Sequence, residues 1–168
     1  MKKLYIPIYI LLVAFFLILE STFFSRLDFF GAQPNLLLIF TITLTFFISR
    51  ESSIVCALIA GGIEDFYIGR MIGSNVIAMV LTIFIISRFT SRIIKENVLT
   101  PIAVIFIGSI INGIVMAVLM VLAGNGGLLN LMYVKNMLLG SVYNVLVSLV
   151  IYPITYLILH KFKGEENK

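Results

Sequence analysis

An all-α membrane fold is what this sequence predicts: a polytopic bundle of six transmembrane helices with both termini in the cytoplasm. Three observations lead there. Of 168 residues, 61% are hydrophobic and only 12% charged, against about 45–50% and about 25% in a soluble domain. The mean hydropathy is +1.13. The apolar residues fall into six runs separated by short polar breaks. Finally, the twelve Lys and Arg residues sort unevenly between alternate breaks, the bias that orients membrane proteins.

The first run covers residues 4–24. Lys2-Lys3 before an apolar stretch resembles a secretory leader, but the stretch continues to Leu19 and meets Glu20-Ser21 without a small-residue cleavage site, so it reads as an uncleaved span. The second, 34–49, opens on Pro34, a residue suited to a first helical turn, and stops at Arg50-Glu51. The third and fourth, 52–69 and 72–87, are parted by Gly69-Arg70-Met71-Ile72-Gly73. The fifth, 98–123, carries Pro101 early. The sixth, 134–160, holds Pro153 well inside, where a kink is expected. Between the last two, the turn at residues 124–127 leads into apolar residues 128–133 expected at the headgroup level.

Six spans of roughly 20 residues consume about 120 positions, which leaves no folded extramembrane domain. The whole chain is one integral membrane domain. With the N-terminus inside, Lys2, Lys3, Arg50, Arg88, Arg92, Lys95, Lys161, Lys163 and Lys168 are cytoplasmic, whereas Arg26, Arg70 and Lys135 are external. The net charge of +4 is therefore a topology signal and not a nucleic-acid one. Arg88, Arg92 and Lys95 form a cytoplasmic basic stripe at helical spacing, suited to anionic membrane lipids or to a cytoplasmic partner.

Lipid gives helices no hydrophobic reason to associate, so contact faces favour small and hydrogen-bonding residues. Ala57, Gly61 and Asp65 repeat every four residues in the third span, and Gly69 and Gly73 continue that packing seam. Thr41, Thr45 and Ser49 do the same in the second, Ser109, Gly113 and Ala117 in the fifth, and Gly140, Asn144 and Ser148 in the sixth. These rows read as internal seams or as a dimer contact.

Ionisable residues inside spans are costly and mark sites. Glu20, Glu64 and Asp65 qualify, near the outer ends of spans one and three, with Arg26 and Arg70 as available counter-ions and Asn75 just beyond. One reading is a structural ion-pair and capping network. The other is an outward-facing polar site for a partner helix or a small ligand. Glu64 and Asp65 are adjacent, hence about 100° apart around a helix, which argues against a catalytic carboxylate pair. Phosphate-cradling and metalloprotease motifs are absent. The sole histidine, His160, ends the last span, and Cys56 has no partner for a disulfide. The reading is of a protein without enzymatic chemistry, cofactor or metal.

Several stretches resemble the rod shape-determining protein MreD family: the basic start running to Glu20-Ser21-Thr22-Phe23-Phe24, then Pro34-Asn35-Leu36-Leu37-Leu38, then Gly61-Gly62-Ile63-Glu64-Asp65-Phe66-Tyr67 followed by Gly69, Gly73, Asn75 and Ala78. Glu64 stands where an apolar residue is more usual. The resemblance implies a non-enzymatic component of the bacterial cell-elongation machinery in the cytoplasmic membrane. It implies partnership with the bitopic protein MreC, alongside RodA and a penicillin-binding transpeptidase. An alternative is the vitamin-binding subunit of an energy-coupling-factor transporter, because S-component-like subunits are also six-span bundles of this size. Against it, the first span has Ala14 as its one alanine, and the chain has no Trp to stack a ligand.

Overall fold

The computed structural model describes residues 5–22, 31–68, 73–90 and 99–165. Among them the regular elements are helices: α1 (Tyr5–Thr22), α2 (Leu36–Leu44), α3 (Arg50–Ile68), α4 (Ser74–Thr90), α5 (Leu99–Leu122) and α6 (Leu131–Glu165), with a single 3-10 turn at Gly126–Leu128. The all-α expectation holds. Two stretches, Thr100–Leu122 and Leu131–Leu157, are long and apolar enough to cross a membrane, and Tyr9–Thr22 and Ser74–Thr90 are shorter apolar helices.

The bundle is built around its shortest helix. α2 has nine residues, about 13 Å of helix, and each of them is buried. It touches all five other helices. A helix apolar on every side belongs inside a protein, and α2 meets that condition. Phe40 packs on Phe16 of α1 with ring centroids 4.9 Å apart. Met79 and Ile83 of α4, Ile105 of α5 and Ile151 of α6 complete the surrounding core.

The sequence suggests a helix over 34–49, but the chain is helical only from Leu36 to Leu44. Residues 31–35 are non-helical and run beside α6. A Cβ placed on Gly31 would lie 3.5 Å from Asn136, one on Gly140 would lie 3.6 Å from the Gln33 carbonyl, and the Asn35 N–H reaches Asn144. Two residues of extended chain advance about 6.6 Å and four of helix about 6 Å, so the two stay in step. At the other end of α2, the N–H groups of Thr45, Phe46 and Phe47 turn to carbonyls three residues back, tightening the last turn. Ser49 then starts α3, its carbonyl accepting from the Ser53 N–H at 2.9 Å.

Close approach of helices depends on three glycines. A Cβ at Gly61 would stand 2.7 Å from the Val76 Cα, so α3 and α4 meet backbone to backbone. At Gly108 it would meet Ile42 of α2, and at Gly113 the Met137 side chain of α6. Gly73 differs from the seam expected of it: it lies outside the helices with φ +93°, in a turn that favours glycine. Several buried hydroxyls are satisfied within their own helices, as when Thr41 donates to the Leu37 carbonyl, Thr43 to Ile39 and Thr82 to Ala78. α6 runs through Pro153 without interruption.

Candidate functional site

The first backbone N–H groups of a helix have no partner inside it, and in a dry interior each must find one. α2 begins inside the bundle, and its solution draws on polar side chains from α1, α3, α5 and α6. Glu20 of α1 reaches across, one carboxylate oxygen accepting from the Leu36 N–H at 2.8 Å and the Leu37 N–H at 3.4 Å. Asn35 is the N-cap, its side-chain oxygen accepting from the Leu38 N–H at 2.6 Å. Asparagine before an apolar run is a helix-start signal, and this one is visible in the sequence. The Ile39 N–H closes the first intrahelical bond to the Asn35 carbonyl.

From Asn35 the network spreads to three more helices. Its amide donates to a Glu64 carboxylate oxygen of α3 at 3.0 Å. Its backbone N–H donates to the Asn144 side chain of α6 at 2.8 Å, and the Asn144 amide donates to Ser109 of α5 at 2.9 Å. Farther along α5, the Asn112 amide makes a longer contact, 3.4 Å, with the Thr82 hydroxyl of α4. The second oxygen of Glu64 is buried without a hydrogen-bond partner among the described residues.

Asp65 serves a different helix end. It accepts from the N–H groups of Gly73 at 3.0 Å, Asn75 at 3.0 Å and Val76 at 3.1 Å, closing the start of α4. The angular divergence of adjacent helix positions thus separates the two acids: Glu64 faces α2 and Asp65 faces α4. Asn75 contributes here through its backbone. Glu20 and Asp65 are oriented by peptide N–H groups, which favour negative charge at a helix start.

Ala57 is fully buried and Gly61 forms the α3–α4 contact. Arg70, Gly69, Arg92 and Lys95, with the expected counter-ion Arg26, lie outside the described residues. Arg88 ends α4 with its guanidinium 5.5 Å from the Phe84 ring centre. Arg50, at the start of α3, lies 4.4 Å from the same ring, a cation–π arrangement that puts two cations at one end of the bundle. Among the described residues no group of three His, Cys, Asp or Glu is placed to hold a metal ion.

Asn35 and Asn144 are the residues that sequence reasoning undervalued. Asn35 appears there as part of a resemblance and Asn144 as a packing residue, whereas they link α2 to the helices around it. Beside them, Gln33, Ser109, Asn112, Asn136 and Asn144 line a cavity of 250 Å³ between α2, α5 and α6.

No curated protein and no solved structure is similar enough to count as a match. One family does match, over residues 1–162, under the description rod shape-determining protein MreD. That span includes every helix start and buried carboxylate described above. The chain belongs to the MreD family of rod shape-determining proteins.

Proposed function

We propose that this protein is a non-enzymatic, multi-pass component of the bacterial cell-elongation complex, in the cytoplasmic membrane. It supports lateral peptidoglycan synthesis through helix contacts with an MreC-like bitopic protein, and RodA and a penicillin-binding transpeptidase are further candidate partners. The family match over residues 1–162 carries the reading. The side-chain chemistry supports it: Glu20 and Asp65 accept from backbone N–H groups and Glu64 from the Asn35 amide, each joining one helix to the start of another. The six runs cross as six spans with both termini inside, a topology supported by the nine-to-three division of cations. The vitamin-transporter alternative gains nothing from the family match.

A partner of the same membrane meets mainly aliphatic surface. Ile114, Val118, Val121 and Leu122 on α5 are more than half exposed, as are Leu146, Leu149, Val150 and Leu157 on α6. The test is affinity purification of the tagged chain from native membranes in mild detergent, paired with rescue of cell shape in a strain depleted of its own MreD. The expected result is recovery of an MreC-like protein together with restored rods. Round cells expressing a stable, membrane-inserted protein would overturn the reading.

A further inference from the structure

Where α3 begins and α4 ends, two cations meet one ring. The Arg50 guanidinium lies 4.4 Å from the Phe84 ring centre and that of Arg88 5.5 Å. The charges come from separate helices, which the backbone contact at Gly61 holds together. They are no more than about 10 Å apart, close enough for like charges to repel near a protein surface. The ring attracts each guanidinium but leaves most of its five N–H donors to other acceptors. Glu51 shares the first turn of α3. Adjacent helix positions point about 100° apart, and its side chain is exposed. One carboxylate against two guanidiniums leaves this end positive. The Arg88, Arg92, Lys95 spacing does not contain the partnership with Arg50, which only the fold creates.

Deeper along the same hairpin the surface is apolar. Ile77, Leu81 and Phe84 of α4 are exposed, and with Arg88 they follow the spacing of one helix face. Val55 and Leu58 of α3 are exposed as well. From Ile77 to Arg88 the helix advances about 16 Å, and one leaflet of a hydrocarbon core of roughly 30 Å is about 15 Å deep. The strip thus matches the depth of one leaflet's acyl chains, with the cations at headgroup level. A phosphodiester supplies the acceptor oxygens that guanidinium forks recognise. We propose that the α3–α4 hairpin holds an anionic phospholipid at its Arg50–Arg88 end, the phosphate on the two guanidiniums and an acyl chain along the apolar strip. In the topology proposed above this is the cytoplasmic leaflet, whose surface is negative.

The test uses the full chain in nanodiscs of equal parts phosphatidylcholine and phosphatidylglycerol, with retained lipid identified by native mass spectrometry. Phosphatidylglycerol is expected to be retained roughly twenty-fold over phosphatidylcholine, and Arg50→Gln or Arg88→Gln should each lower that preference roughly five-fold. Phe84→Leu keeps the apolar volume but removes the ring that gathers both cations, and should lower it roughly three-fold. Lys135→Gln removes the same charge from an exposed position on α6 and should leave the preference unchanged. Equal retention of the two lipids overturns the proposal. So does an equal loss from Lys135→Gln, or a preference that Phe84→Leu leaves intact in folded protein, since either reduces the effect to general attraction of charge. Full competition by inorganic phosphate would identify a soluble anion, and an acidic protein released by the arginine substitutions would identify a protein partner; each overturns it. Retention is read without reference to sidedness or to co-purification of an MreC-like partner, so this site and the proposed cellular role can fail independently.

Discussion

The carboxylates inside the bundle act through individual oxygens, and that makes their substitutions distinguishable. In Glu20 a single oxygen takes both α2 N–H groups. Glu20→Gln keeps a carbonyl oxygen at that place and should cost about 1 kcal/mol, the difference between a charged and a neutral acceptor. Glu20→Ala leaves two buried N–H groups unpaired, at about 1–3 kcal/mol each. Thermal melts of the detergent-solubilised protein should rank wild type, Gln, then Ala, and rod shape should follow the same order. A Gln variant that is stable yet fails in cells would instead assign the charge itself to partner contact. Asp65 uses both oxygens for three N–H groups, so Asp65→Ala should destabilise by about 2 kcal/mol or more. A melt unchanged by Asp65→Ala would show that the α4 start finds its partners elsewhere. The presence of these acids was legible because charges in apolar runs are conspicuous. Their targets were not, since an acceptor's partner is a backbone group that any sequence supplies.

At the level of helices, the small-residue rows include Gly61 and Gly113, where helices approach closely, but pass over Gly108. Gly61 and Gly62 are adjacent, and only Gly61 falls on the four-residue row with Ala57 and Asp65. In the fold, a Cβ on Gly61 would stand 2.7 Å from the Val76 backbone, whereas one on Gly62 would touch only a methyl group at 3.9 Å. Gly61→Ala must push α3 from α4 and should cost about 1–3 kcal/mol. Gly62→Ala fits and gains up to about 1 kcal/mol of helix propensity. Opposite shifts of melting temperature for this neighbouring pair are the expected result, and equal shifts would contradict the close α3–α4 contact. Gly108 escaped the four-residue rows altogether, although its missing side chain admits Ile42 of α2. The shortening of α2 escaped as well. Its apolar run continues past Leu44, and hydropathy does not report where the backbone stops being helical. Pro34, expected in the first turn, instead precedes the helix, and Asn35 caps it.

For the molecule as a whole, composition was enough for the all-helical class, but arrangement was not. Nothing in six apolar runs says that the second lies inside the other five. That follows from burial on every side of α2, and a central helix constrains its neighbours. α1, α3, α4, α5 and α6 must surround it, so the protein's outer surface is drawn from those five. Arg50 and Arg88 share one ring at one end, while the 3-10 turn at Gly126–Leu128 joins α5 to α6. If cations orient the chain, the Arg50 end faces the cytoplasm and that turn faces outward. Two single-cysteine variants in a Cys56→Ala background decide this. Gly127 is exposed, and a Cβ there meets nothing within 4 Å; Glu51 is exposed in the first turn of α3. A membrane-impermeant maleimide should label Gly127→Cys in intact cells and Glu51→Cys only after permeabilisation. The reverse pattern would invert the topology. Labelling of both in intact cells would mean that these segments do not lie on opposite sides of the membrane, and the six-span arrangement would fall with it.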